Sequence, residues 1–116
     1  MKDPDSQKHT TPKKANLYEV VMPLLSAMQQ EFKELSKKKP DSVLSLSKVK
    51  TVNRLLESCL KVLELEQSLQ FLDLIDEDEI PQNSDLVLML SQYVAAMHQF
   101  HLTYIVLDDL EYRWLI

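Results

Sequence analysis

Leu17, Val21, Leu24, Met28, Phe32 and Leu35 recur every three or four residues and fall within a narrow arc at 3.6 residues per turn. The spacing predicts a helix over residues 17–36, with Asn16 as its N-cap. Pro23 interrupts that segment. A proline beyond the first turn removes a hydrogen bond and crowds the preceding turn, so a kink, or a helix starting near Met22, is expected. Lys37, Lys38 and Lys39 suit the negative end of the helix dipole, and Pro40 disfavours continuation.

A second helix is expected from Leu46 or Lys48 to Glu66, capped by Ser45 or Ser47. Its seam is Val49, Val52, Leu56, Cys59 and Leu63, with Lys50, Arg54, Glu57 and Lys61 on the other side. Leu69, Phe71, Leu72 and Ile75 suit a further two turns packed across the bundle.

A third helix should begin at Asn83 or Ser84, with Ser84 as cap and Asp85 in the first turn, and continue to about Leu107. Leu86, Leu90, Tyr93, Met97, Phe100 and Tyr104 form one apolar stripe, and Val87, Val94 and Ile105 a second beside it, with His101 between them. A helix apolar over so wide an arc is buried on more than one side. The second stripe marks Val87, Val94, His101 and Ile105 as the face of an expected homodimer. The expected fold class is therefore all-α: a bundle of three long antiparallel helices plus one short helix.

Composition sharpens this reading. The chain of 116 residues contains no glycine. Tight hairpins and phosphate-cradling loops prefer glycine, because only it adopts positive φ cheaply, so strands and nucleotide-binding loops are disfavoured. One cysteine supports neither a disulfide framework nor a zinc knuckle. No apolar run approaches a membrane span, and the start of the chain has no signal-peptide core, which makes a cytoplasmic protein the expectation. Residues 1–15 are lysine-rich and nearly devoid of apolar side chains. They read as a flexible basic arm preceding a single helical domain at 16–116.

The charge is unevenly distributed. Residues 1–61 hold twelve Lys and Arg against seven Asp and Glu, whereas residues 62–116 hold one against eleven. Opposite signs are thus expected at the two ends of the bundle. An acidic patch of Asp73, Asp76, Glu77, Asp78, Glu79 and Asp85 surrounds the turn before the third helix. The run does not fit a calcium loop starting at Asp76: the sixth position is Pro81 rather than glycine, and the twelfth is Val87 rather than glutamate. It reads as a solvated turn able to meet a basic protein partner. The alternative surface is basic: Lys37, Lys38 and Lys39 with Lys50, Arg54 and Lys61, a strip that would contact nucleic acid weakly. No aromatic side chain interleaves with it for base stacking.

Candidate chemistry is sparse. His98 and His101 stand at metal-ligand spacing but lack a third ligand in the local sequence. Cys59 lies in an apolar seam, and capping explains the serines and aspartates at helix ends. No nucleophile elbow or metal-hydrolase motif is present. The expectation is a small non-enzymatic interaction module, a regulator, adaptor or inhibitor, with no catalytic residue, metal or cofactor. Its acidic turn would contact a basic partner.

Overall fold

The computed structural model describes residues 8–116. Helix α1 runs over Pro12–Lys38, α2 over Leu46–Val62 and α3 over Asn83–Tyr104. A 3-10 turn covers Gln67–Phe71, and two short strands, β1 (Ile105–Asp108) and β2 (Glu111–Trp114), close the chain. The protein is mostly helical, but the expected all-α class is corrected by this antiparallel hairpin.

Helix α1 begins four residues before the expected cap. Thr11 Oγ1 accepts from the Lys14 amide at 3.2 Å, and Pro12 sits at the first helical position, where its missing N–H costs nothing. Ala15 is buried, so the part of the expected arm from Pro12 onward belongs to the domain; residues 1–7 of that arm lie outside the described residues. The helix continues through Pro23, whose ring is exposed.

The face that α1 buries is also rotated from the expected one. Tyr18, Val21, Leu25 and Phe32 enter the core, whereas Leu24 remains 55% exposed and Leu17, Met28 and Leu35 only half-buried. By contrast α2 buries its expected seam, with Val49, Val52, Leu56, Cys59 and Leu63 all at or below 2% exposure. Ser45 caps it, its Oγ accepting from the Lys48 amide at 3.2 Å.

Side-chain contacts set the helix directions. Gln29 on α1 donates to Ser91 Oγ on α3 at 3.2 Å, and Tyr18 stacks on His101, so α1 opposes α3. Met28 and Phe32 face Thr51 and Val52, while Leu17 and Val20 face the stretch toward Ser58, so α1 opposes α2 as well. Consequently α2 and α3 run the same way, instead of all three alternating. The chain from 63 to 82 must then travel back along the bundle. It does so as the 3-10 turn followed by irregular backbone in place of the expected two helical turns, and Phe71 is left 70% exposed.

Asn53 fastens this return segment. Its Oδ1 accepts from the Ile75 amide at 2.8 Å and its Nδ2 donates to the Ile75 carbonyl at 2.9 Å, which imitates a strand neighbour for a residue 4% exposed. Tyr93 donates its hydroxyl to the Asp73 carbonyl at 2.8 Å, and Val43 bridges to Gln82. At the start of α3, buried Asn83 donates through Nδ2 to the Lys39 carbonyl at 2.8 Å.

The second apolar stripe of α3 is partly covered by the chain itself. Val87 and Val94 pack on the core, Ser91 between them bonds to α1, and His101 lies against Tyr18 and Trp114. Ile105 opens β1 opposite Trp114. Val87, Val94, His101 and Ile105 are each half-buried, so part of the stripe is used within the chain and part of it remains exposed.

The hairpin turns at Asp109 and Leu110, with φ of 49° and 69°. Positive φ at both central positions supplies the twist that a two-residue hairpin needs, and glycine is only the cheapest way to reach it. Asp tolerates this region; Leu110, 93% exposed, does not favour it. The turn is affordable because β2 is anchored elsewhere. Trp114 packs edge-on to Tyr18 with ring centroids 5.2 Å apart and donates Nε1–H to Glu19 Oε1 at 3.0 Å. Leu115 is buried, donates to the Tyr104 carbonyl at 2.7 Å and accepts from Thr10 at 2.8 Å.

Two substitutions test this account. Asn53→Ala leaves both Ile75 backbone groups without their partner and should cost about 1–3 kcal/mol in urea unfolding, with faster amide exchange around Ile75. Leu110→Gly relieves the left-handed strain and should raise stability by roughly 1 kcal/mol, read as a higher melting temperature.

Candidate functional site

The acidic turn stands on a fixed base. Ile75 is held by Asn53, Ile80 and Pro81 are half-buried, and the residues between are exposed. Asp76 folds back on the turn: its Oδ1 accepts from the Asp78 amide at 2.9 Å and its carbonyl accepts from the Glu79 amide at 3.1 Å. Such an Asx turn lets the stretch reverse direction with no glycine. Asp73 and Asp85 are also exposed, the latter in the first turn of α3, where its charge favours the helix. Among the described residues the ion pairs are Lys37–Glu34 and Arg113–Asp108, so none of the six patch carboxylates is neutralised by a salt bridge.

The two charged surfaces do not occupy opposite ends, contrary to the expected layout. Asn83 bonds to the Lys39 carbonyl and the Ser84 amide to the Pro40 carbonyl, so the segment bearing Lys37, Lys38 and Lys39 adjoins the start of α3, just beyond the acidic turn. Lys39 and Lys48 border one small cleft. Lys50, Arg54 and Lys61 follow along the outside of α2, all exposed, with Glu57 among them. The opposite signs thus flank α2 side by side: carboxylates on the return segment and cations along the outside of the helix, with Lys48 and Arg54 on the flank toward α1.

That flank borders a surface that periodicity alone did not reveal. Between α1 and α2 runs a groove formed by two depressions sharing Met28, Glu31 and Thr51. Leu17, Val20, Leu24 and Ala27 form one wall; Arg54, Leu55 and Ser58 form the other, and Lys48 stands at the far end. Val20 is 64% exposed. A signal was present in the sequence: Leu17, Val20 and Leu24 lie beside Tyr18, Val21 and Leu25, so α1 is apolar over a wider arc than one packing face uses.

The histidines and the cysteine have structural surroundings. His98 is exposed, while the His101 ring lies parallel to Tyr18 at 5.2 Å and edge-on to Trp114 at 5.2 Å. Among the described residues no group of three or more His, Cys, Asp or Glu side chains is placed to hold a metal ion. Cys59 is fully buried, and loss of hydration pushes its thiol up to about 12, outweighing a small opposing effect of its own backbone. Burial likewise raises Tyr93, helped by the negative potential of Cys59 and Asp73. Burial, followed by the hydrogen bond and charge of Glu66, pushes Tyr104 up to about 12; its hydroxyl donates to Glu66 Oε2 at 2.8 Å. These side chains stabilise the fold in their protonated forms and offer no ready nucleophile. No helix among the described residues is long and apolar enough to cross a membrane.

Because folding raises these pKa values, the protonated groups contribute fully below their ordinary values of 9.0 for Cys59 and 10.0 for Tyr104. That contribution is lost as pH climbs toward about 12. The denaturant midpoint should therefore fall across this alkaline interval, and a thiol reagent at neutral pH should modify Cys59 only as fast as the chain unfolds. No protein-family model matches this chain, and neither does any curated protein or solved structure.

Proposed function

We propose that the chain is a small non-enzymatic interaction module whose acidic turn engages a basic protein surface. The observation that carries this reading is the presentation of Asp76, Glu77, Asp78 and Glu79: four exposed acidic residues, unpaired in salt bridges among the described residues, on a backbone pinned at Ile75 and at Gln82. A preformed turn loses little conformational freedom when a partner arrives, so more of the electrostatic attraction survives as binding. Neighbouring carboxylates of one sign also draw a cationic partner in from solution and turn away an acidic one. Cys59 buried in the core and His101 half-buried against the Tyr18 and Trp114 rings favour binding over covalent chemistry.

The test is a chain carrying Asp76→Asn, Glu77→Gln, Asp78→Asn and Glu79→Gln. The amide at 76 retains the oxygen that accepts from residue 78, so the turn is preserved. Proteins captured from cell extract by the parent chain at low salt should present basic surfaces, and their association should slow by roughly tenfold or more with the neutralised chain. The remaining rate should depend less on salt. Equal association rates for the two chains would rule the turn out as the contact.

A further inference from the structure

The groove between α1 and α2 leaves apolar surface uncovered along most of two helices. From Leu17 to Leu35 it extends about 27 Å, the length of a five-turn helix at 1.5 Å per residue. Its α1 wall is a ridge of residues three and four apart, Val20, Leu24 and Met28 among them, with Leu55 facing it from α2. Two antiparallel helices with such a trough between them offer the ridge-and-groove surface that accepts a third helix.

Charge decides what kind of helix fits. Along the α2 edge stand Lys48 and Arg54, with Lys50 four residues before Arg54 and Lys61 seven after it on the same row. None of the four makes an ion pair among the described residues. Glu57 on that row and Glu31 in the groove are the opposing charges, and they leave the edge net positive. A second copy of this chain complements the groove poorly. The acidic residue of α3 is Asp85 alone, and the acid-rich stretch before it, Asp76 to Glu79, is a hydrogen-bonded turn and not a helix. Nucleic acid would use the cations but would meet an aliphatic floor: no aromatic side chain except Phe32 lines the groove.

We propose that this groove binds an amphipathic α-helix of a partner protein, apolar on the face that enters it and acidic along the flank that meets α2. The surface is separate from the acidic turn and does not depend on the reading given to it.

A labelled five-turn helical peptide, with leucines on one face and glutamates along one flank, is the probe. Fluorescence anisotropy should show saturable binding, weakened roughly tenfold or more by Leu24→Glu, with unchanged thermal unfolding because Leu24 is exposed. Arg54→Glu should weaken the same peptide and strengthen binding of a counterpart with a lysine flank. The chain with the neutralised acidic turn should bind as the parent does. The proposal is overturned by lack of saturation at roughly 100 µM peptide, or by indifference to Leu24→Glu. It is equally overturned if single-stranded RNA binds the Arg54 row and the peptide does not displace it. A parent dimer that Leu24→Glu converts to monomer, with no peptide bound, would assign the groove to self-association instead.

Discussion

Two helices that run in the same direction cannot be joined by a short turn. The chain leaving α2 must cover the length of the bundle before α3 can start, and that passage governs much of this molecule. Backbone polar groups laid against a core need partners, and the passage has neither a helix of its own nor a neighbouring strand for most of its course. Asn53 supplies both missing bonds at the point of deepest burial, Tyr93 one more, and Asn83 ties the start of α3 to the end of the α1–α2 connection. With those bonds in place Ile75 can enter the core and the carboxylates that follow are lifted clear of it.

The opposite end is closed by aromatic packing. Tyr18, Phe100, His101, Tyr104 and Trp114 contact one another with ring centroids from 4.9 to 6.0 Å apart, mostly in the offset and edge-on geometries that ring quadrupoles favour. A lone two-stranded hairpin is marginal in water. Here Trp114 and Leu115 attach it to α1 and α3, so the strain at Leu110 is tolerated by contacts made several residues away.

Much of the helical layout was legible because burial on a single face leaves a clean period. The α2 seam is the clearest case: one face, one partner layer, and a serine cap where the pattern begins. On α1 the period was equally regular but its phase misled. The stripe through Leu24 and Met28 suggests the core face, whereas the helix turns Tyr18 and Leu25 inward and leaves Leu24 and Met28 beside the groove. Periodicity reports that a face is apolar without saying which neighbour covers it. The hairpin escaped for a different reason. Four-residue strands directly after a helix carry little alternation, and without glycine the turn at Asp109 and Leu110 has no sequence marker. The acidic turn was visible as a run of charge, but its placement beside Lys39 depended on helix directions that composition does not encode.

The position of Trp114 has an optical consequence. As the chain's sole indole, wedged on the side of α1 that looks toward α3, it makes intrinsic emission a gauge of whether the terminal hairpin is seated. Occupancy of the trough on the far side of that helix would pass almost unseen by this chromophore, and the tyrosine at 93, sunk in the interior, would be no better witness. Loading of the trough and detachment of the hairpin would therefore be spectroscopically separable in one small molecule.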